Sequence, residues 1–299
     1  MDVFRFLDKN DFYARHNVKA FCYYDYARLF YYNNDFKNAL SYTLKGIDAF
    51  KPNEPGVELI HSLKISKAIY LEKLDRYEES LRAIDELWED SYSIKNIFVL
   101  LNMYETKAFI LKKQKMQEEA IKLAYEGIDI ARVNKVPDRL FDLYTLLGSI
   151  YMELNDLDEA EDCILTALDF KNKVKKEYLL IGSYTLLGRI RMKQERWEES
   201  LQYLQEAVRI GEKTNDAKRL GWALIALGDW YQTKEMYSEG VDAYQKALEI
   251  GKLKEIKKLH RIALLELSKC WKHIDRSEFV TSLENLFDVE VQLVDEREF

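Results

Sequence analysis

Proline is almost missing from this chain of 299 residues: three occur, Pro52, Pro55 and Pro137. All lie between stretches of periodic hydrophobicity, where they interrupt no helix. Glycine is sparse too, with 11 residues, and no glycine-rich loop of the kind that cradles phosphate is present; Gly182, Gly188 and Gly228 fall inside periodic segments instead. The three cysteines, Cys22, Cys163 and Cys270, are odd in number and lack metal-type spacing, the usage expected of reduced packing residues in a cytoplasmic protein. Four histidines, His16, His61, His260 and His273, supply no short-range pair for a metal. No run of about 18 apolar residues exists to span a membrane, and the N-terminus lacks the basic segment and unbroken apolar run of a signal peptide. Charge is not of one sign: 45 basic residues stand against 52 acidic ones, net −7 with a pI near 5.4. That balance excludes a chain that itself grips phosphate backbones, which demands a basic face.

What the chain has instead is repetition. Residues 144–151 read YTLLGSIY and residues 184–191 read YTLLGRIR, 40 positions apart. Steps of 40 from residue 68 give Ala68, Ala108, Gly148, Gly188 and Gly228, a column of the two smallest residues. Two further columns run in register, Ser80, Ala120, Ala160, Ser200, Gly240 and Leu87, Gly127, Ala167, Ala207, Ala247. A fixed period of this length marks a stacked architecture. Apolar residues recur at helical spacing, as in Leu143, Leu146, Leu147, Ile150 and Tyr151. Each unit therefore reads as a helix A, a short polar turn such as LNDL or KQER, and a helix B. The small columns fall where the two backbones approach closely. The column Glu79, Glu119, Glu159, Glu199, Glu239 suits the first turn of helix B, where free N–H groups and the dipole favour negative charge. An upstream unit follows with its register shifted by one (Tyr23, Tyr26, Ala27, Phe30, Ala39, Thr43, Gly46), and LLELSKCW at 264–271 reads as one more helix A. The tail alternates apolar and polar at 287–294, FDVEVQLV, and is expected to cap the last repeat, with a short strand possible there.

The spacing kept in Tyr144, Leu147, Gly148, Tyr151, Ala160, Ile164 and Ala167 resembles the tetratricopeptide repeat. Units of 40 residues, longer than the usual repeat, with segments such as ARLFYYNNDFKNALSYTLKGIDAF and GEKTNDAKRLGWALIALGDWY, resemble the peptide-pheromone receptors of the Rap/NprR/PlcR quorum-sensing family, the neutral-protease-regulator branch above all. The resemblance covers nearly the whole chain, but its motifs are scaffold motifs. It implies an all-α, right-handed superhelix of about six to seven helix pairs. The expected organisation is an N-terminal helix or linker remnant at 1–20, a peptide-binding repeat domain at 21–275 and a C-terminal cap at 276–299. Regulators of this class often carry an N-terminal helix-turn-helix, and another branch acts by binding a response regulator. Nothing before Tyr23 is long enough to be a helix-turn-helix, so the expectation is that this domain has been removed and that any DNA contact is made through it alone.

The resemblance also implies that the second, fifth, ninth, twelfth and thirteenth positions of each helix A line a concave groove. The register turns these into Phe21, Tyr24, Arg28, Tyr31 and Tyr32; Ser62, Ile65, Ile69, Glu72 and Lys73; then Asn102, Glu105, Phe109, Lys112 and Lys113. Next come Asp142, Thr145, Ser149, Met152 and Glu153; Gly182, Thr185, Arg189, Met192 and Lys193; and Trp222, Ile225, Asp229, Gln232 and Thr233. The peptide-binding candidates among these are Tyr24, Arg28, Tyr31, Tyr32, Asn102, Glu105, Lys112, Asp142, Thr145, Ser149, Thr185, Arg189, Trp222, Ile225 and Asp229. Amide and hydroxyl groups suit the main chain of an extended peptide, and Arg28 or Arg189 suits its carboxylate. Arg28 is the leading anchor; the competing reading has it paired with a neighbouring carboxylate or in solvent. For Tyr24, Tyr31 and Trp222 the competing reading is packing between repeats.

Catalytic chemistry is not expected. Paired carboxylates such as Glu118–Glu119 and Glu198–Glu199 are helix entries, and the glutamine used by Rap-type phosphatases has no counterpart in a chain whose first glutamine is Gln114. No metal or cofactor is expected. The functional expectation is a cytoplasmic quorum-sensing receptor module that binds a short signalling peptide, forms a homo-oligomer and regulates transcription and sporulation-type signalling without touching a membrane. The alternatives are a generic protein–protein scaffold, from which the carboxylate clamp of chaperone adaptors is absent, or a protein that sequesters a response regulator without binding DNA.

Overall fold

The computed structural model describes residues 17–174 and 176–295, with side chains given as far as Val291. The expected remnant at 1–20 therefore lies mostly outside the described residues. Within them the chain is all-α: fourteen helices and three short 3-10 turns, with no strand among the described residues. The helices fall into seven A/B pairs, α1 (Val18–Tyr32) with α2 (Phe36–Ala49), α3 (Leu59–Lys73) with α4 (Tyr77–Glu89), and α5 (Ile97–Lys113) with α6 (Gln117–Val133). There follow α7 (Pro137–Leu154) with α8 (Leu157–Asp169), α9 (Leu180–Lys193) with α10 (Trp197–Thr214), α11 (Ala217–Thr233) with α12 (Tyr237–Leu253), and α13 (Lys257–Ile274) with α14 (Arg276–Asp295). Contacts divide the chain into two compact units, Met1–Arg139 and Leu140–Phe299. The boundary falls in the first turn of α7.

The turns explain how a chain so poor in glycine folds back every 20 residues. The first six A helices are each followed by a residue with positive φ: Asn34, Asp75, Lys115, Asn155, Glu195 and Glu235. The next residue sends its N–H back five positions, as in Arg76 to Leu71 O (2.9 Å), Met116 to Leu111 O (2.9 Å), Arg196 to Arg191 O (2.8 Å) and Met236 to Tyr231 O (2.9 Å). This pattern ties off carbonyls that the helix end would otherwise leave open. Glu79, Glu119, Glu159, Glu199 and Glu239 then occupy the first turn of helix B. Two of them also clamp the preceding arginine through both carboxylate oxygens, Arg76–Glu79 at 2.7 Å and Arg196–Glu199 at 2.8–2.9 Å. The connection before α3 is fastened differently. Buried Asn17 accepts from Lys51 N at 2.8 Å and donates to the carbonyls of Lys51 and Pro55 at 3.0 Å.

All three small columns are buried. Contact is close enough to be hydrogen-bonded: Ser80 Oγ donates to Ala68 O at 2.6 Å and Ser200 Oγ to Gly188 O at 2.7 Å, each linking a helix B to the small residue of its helix A. Where the helix A column is glycine, a side chain would collide with helix B. A Cβ on Gly148 would stand 2.5 Å from Ile164 Cδ1 and 3.0 Å from Ala160 O; one on Gly228 would stand 2.5 Å from the Tyr244 ring. The larger residues between, such as Leu147, Ile164, Leu187 and Leu204, fill the interior around these crossings.

The tail is helical. Phe279, Ser282, Leu286 and Val289 are its sheltered positions, spaced by three and four residues, and α14 packs on α13. With no strand nearby to pair with, the alternation in FDVEVQLV has no sheet to satisfy, and helical spacing over the longer segment decides.

Two glycines separate crossing from propensity. Gly228→Ala should destabilise the fold by about 1–3 kcal/mol through overpacking on the buried Tyr244 ring. Gly182→Ala, with nothing within 4 Å of its would-be Cβ, should be neutral or stabilise by up to about 1 kcal/mol through helix propensity. Urea denaturation of the two variants checks the sign of the difference. Substituting Glu235, held at φ 58°, by glycine should raise stability by up to about 1 kcal/mol, the relief of a left-handed side-chain clash partly offset by chain entropy.

Candidate functional site

In the first unit, α1 brings Tyr24, Arg28, Tyr31 and Tyr32 together. The Arg28 guanidinium lies 5.7 Å from the Tyr24 ring centroid, 3.6 Å from the Asp25 carboxylate and 3.5 Å from the Tyr32 hydroxyl, to which it donates. All these contacts lie within one helix, and the Arg28 side chain is 47% exposed. Exposed pairs of this kind contribute only about 0–1 kcal/mol, so Arg28 is weakly held. Burial, first of all, pushes the Tyr24 phenol above its ordinary pKa, with Arg28 opposing it. Tyr31 stacks on Tyr70 of the next A helix, centroids 5.3 Å apart; that is a packing contact between repeats.

Further along the same unit, Glu72 is buried and pairs with Lys73 at 2.7 Å. Burial works against the Lys73 charge, yet Glu72 holds the ammonium above its ordinary value. The ammonium groups of Lys73 and Lys113 lie 5.8 Å and 5.1 Å from the Phe109 ring centroid. Glu105 accepts from Arg139 Nη1 at 2.7 Å. Asn102 is half-buried beside it on α5.

The second unit places Asp142 and Thr145 on α7 as half-buried groups, and Thr145 Oγ1 donates to Phe141 O (2.8 Å) and meets Ser183 Oγ on α9 (2.9 Å). Ser149 and Thr185 donate to Leu146 O and Ile181 O, each at 2.7 Å. Arg189 and Asp229 occupy the same position in successive units and find each other, Nη2 to Oδ2, at 3.0 Å. The other oxygen of Asp229 accepts from the Tyr244 hydroxyl at 2.9 Å. Gly228 makes this possible, since only a missing side chain leaves room for the Tyr244 ring beneath α11. Nearby, buried Arg191 donates to Glu161 of α8 at 2.5 Å and to Gln194, while Arg196 approaches Glu161 at 3.7 Å. This buried cluster ties a helix A to the helix B of the preceding pair.

Two sequence-predicted candidates are not on an accessible face. Ile225 is 2% exposed and belongs to one cluster with Leu224, Tyr244, Leu259 and Ala263, because α13 covers that side of α11. Lys112 is 7% exposed, its chain buried at the end of α5. Trp222 is half-buried against the Ile225 cluster. The sequence reading missed two participants, Arg139 and Tyr244. Both carry a signal in the register: Tyr244 follows Ile84, Ala124, Ile164 and Leu204 in one column, and Arg139, like Arg219, breaks the apolar column Leu59, Val99, Leu179.

Other reactive groups are quiet. Cys163 and Cys270 are buried and Cys22 half-buried, all with free thiols. Burial pushes each thiol up, Cys163 to about 11, which withholds the reactive thiolate. His61 and His260 are lowered, chiefly by burial, and His273 stacks on Tyr237 at 4.3 Å. Among the described residues, no three His, Cys, Asp or Glu side chains are placed to hold a metal, and no helix is long and apolar enough to cross a membrane.

The MalT-like TPR region family matches residues 68–226, which is more than half of the chain. The chain belongs to this tetratricopeptide-repeat family. No curated protein matches it in sequence. Among solved structures, it is similar to the apo form of the quorum sensor NprR from B. thuringiensis, with 17% identity over 95% of this chain and 80% of that one, TM-score 0.72. It is also similar to the Rap conjugation gene regulator of plasmid pLS20 in complex with the Phr* peptide, at 13% identity, 92% and 74% coverage and TM-score 0.71. A third similar structure is BtubC from P. vanneervenii, at 17% identity, 78% and 92% coverage and TM-score 0.59. At such identities the likeness is one of fold.

The Asp229 cluster yields a pH test. Burial, the dominant cause, raises the Asp229 carboxyl above its ordinary value against the lowering pull of Arg189 and Tyr244. The folded chain therefore holds this proton more tightly than the unfolded chain does. Its contribution to stability grows as pH falls through the raised value and shrinks as pH rises. Asp229→Asn should flatten that part of the curve above about pH 4, measured by urea denaturation; identical slopes in both proteins would refute the assignment. Tyr244→Phe should cost about 1.5–3 kcal/mol at neutral pH, the range for a hydrogen bond to an ionised group.

Proposed function

We propose that this chain is the sensory module of a peptide-responsive regulator, binding a short signalling peptide along the inner faces of its A helices. The observation that carries this reading is a contrast between columns. Scaffold columns repeat small residues from unit to unit, while the ninth position of helix A differs between every two neighbouring units: Arg28, Ile69, Phe109, Ser149, Arg189, Asp229. A repeated scaffold with such a varying inner position suits a ligand whose own residues differ along its length. An extended peptide has that property, and it brings main-chain amides that no sheet satisfies.

The roles follow from how firmly each group is already engaged. Arg28, held only by exposed contacts within its helix, is the anchor for a peptide carboxylate. Asn102, Thr145, Ser149 and Thr185 offer acceptors or donors to the main chain, while Glu105, Asp142, Arg189 and Asp229 set the charge it meets. Tyr24 and Tyr32 give apolar contact beside Arg28. Tyr31 and Trp222 serve packing first, and Lys112 and Ile225 drop out. Because contacts in a repeat stack are between neighbours, small rotations per repeat add up along it. A peptide shifts that equilibrium only by its difference in affinity for the two shapes.

The likeness in fold to a quorum sensor and to a regulator solved with the Phr* peptide supports this reading. The output proposed is control of transcription and sporulation-type signalling in the cytoplasm, through a helix-turn-helix domain or a bound response regulator; self-association rests on the family resemblance alone.

Calorimetric titration with synthetic octapeptides tests the proposal, in the native sequence and in Arg28→Ala. At least one micromolar binder is expected, weakened roughly 10- to 30-fold by the substitution. If no octapeptide binds, the chain is a plain scaffold. Unchanged affinity in Arg28→Ala would remove that anchor and leave the receptor reading standing.

A further inference from the structure

The final helix leaves one of its faces bare. Val280, Leu283, Phe287 and Val291 are 42%, 40%, 68% and 42% exposed. Steps of three and four residues put them in a single line along α14, over about 17 Å at 1.5 Å per residue. Apolar residues scattered singly over a surface need no explanation, but a contiguous stripe on one helix marks a contact site. The stripe is distinct from the inner faces discussed above, and it is bordered on its solvent side by exposed Glu284 and Asp288.

The structure itself indicates what covers such a helix. From α8 to α14 each helix is covered by the next, so the occupant that continues the pattern is another helix. Its charge follows from α13, which already covers the opposite side of α14. That helix carries Lys257, Lys258, Arg261, Lys269 and Lys272 against the single acid Glu266, whereas α14 carries Arg276 against Glu278, Glu284, Asp288, Glu290 and Asp295. Arg261 reaches Glu290 at 3.2 Å across their contact. A basic amphipathic helix thus pairs with an acidic one inside the fold, and the bare stripe repeats the same demand outward. A second copy of the chain would set Glu284 and Asp288 against their own kind, which opposes association, and an anionic lipid surface is repelled for the same reason.

We propose that the outer face of α14 docks a basic amphipathic helix from a partner protein. That helix would lay three turns of apolar side chains on Val280–Val291 and set Lys or Arg opposite Glu284 and Asp288, the helix-in-groove mode of recognition. This surface stands whether or not the inner faces bind a peptide.

The test uses a fluorescein-labelled Leu/Lys peptide of about 20 residues, long enough to hold a helix, together with a scramble of the same composition and a Leu/Glu counterpart. Fluorescence anisotropy should show the Leu/Lys helix binding at least about tenfold more tightly than the scramble, and the Leu/Glu helix not binding. Phe287→Asp should weaken the Leu/Lys helix about tenfold or more although it makes the face more acidic, and Glu284→Lys with Asp288→Lys should weaken it as well. Both are exposed substitutions, and circular dichroism checks that the fold persists. Equal binding of the scramble, no binding of the Leu/Lys helix, or indifference to Phe287→Asp overturns the proposal. Self-association by sedimentation that Phe287→Asp abolishes would assign the stripe to a second copy instead and overturn it too.

Discussion

Close approach of paired helices at small side chains is the constraint on which everything else depends. Ala68, Ala108, Gly148, Gly188 and Gly228 mark where each helix A meets its B, and the serines opposite are near enough to hydrogen-bond to the backbone. Backbones brought this close leave no freedom in how the two helices are rotated about their axes. That rotation determines which side of each A helix faces its neighbours and which side carries residues for other uses. The scaffold columns thus do indirect functional work: they fix the direction in which the variable positions point.

The Asp229 cluster shows the connection at one place. A glycine admits a tyrosine ring, the tyrosine hydroxyl holds one carboxylate oxygen, and the other oxygen receives an arginine from the preceding unit. Isoleucine, alanine or leucine fills the equivalent of Tyr244 at Ile84, Ala124, Ile164 and Leu204 at no polar cost. The departure from the repeat places a buried hydroxyl where a charge needs a partner, and so secures an ion pair on a half-buried face. Charges elsewhere on these faces are similarly engaged, Glu105 by Arg139 and Glu72 by Lys73. A ligand entering there exchanges partners with groups already paired, which favours selectivity over raw affinity.

The scaffold was legible in the sequence because it is periodic. Small columns, first-turn glutamates and helix pairs were all readable from a step of 40, and the structure places them as read. The site was less legible because accessibility depends on what lies across from a residue, which a register alone does not contain. Ile225 occupies an inner position by count, yet α13 covers it; Arg28 and Arg189 look alike in sequence, yet one is held by exposed contacts and the other by Asp229. The tail misled for a different reason. A few alternating residues fit strand or helix equally, and only the sheltered positions Phe279, Ser282, Leu286 and Val289 resolve it.

The left-handed turn residues have a further consequence. Asp75, Lys115, Asn155, Glu195 and Glu235 include acidic, basic and amide side chains, and the hydrogen bond that closes each turn runs between backbone groups. A junction built this way does not depend on one particular side chain. Genes for such chains are thereby open to recombination in steps of 40 codons, since duplicating or deleting a unit joins two ends that already match. Lineages carrying this architecture are free to vary their length while each inherited unit keeps its own contacts.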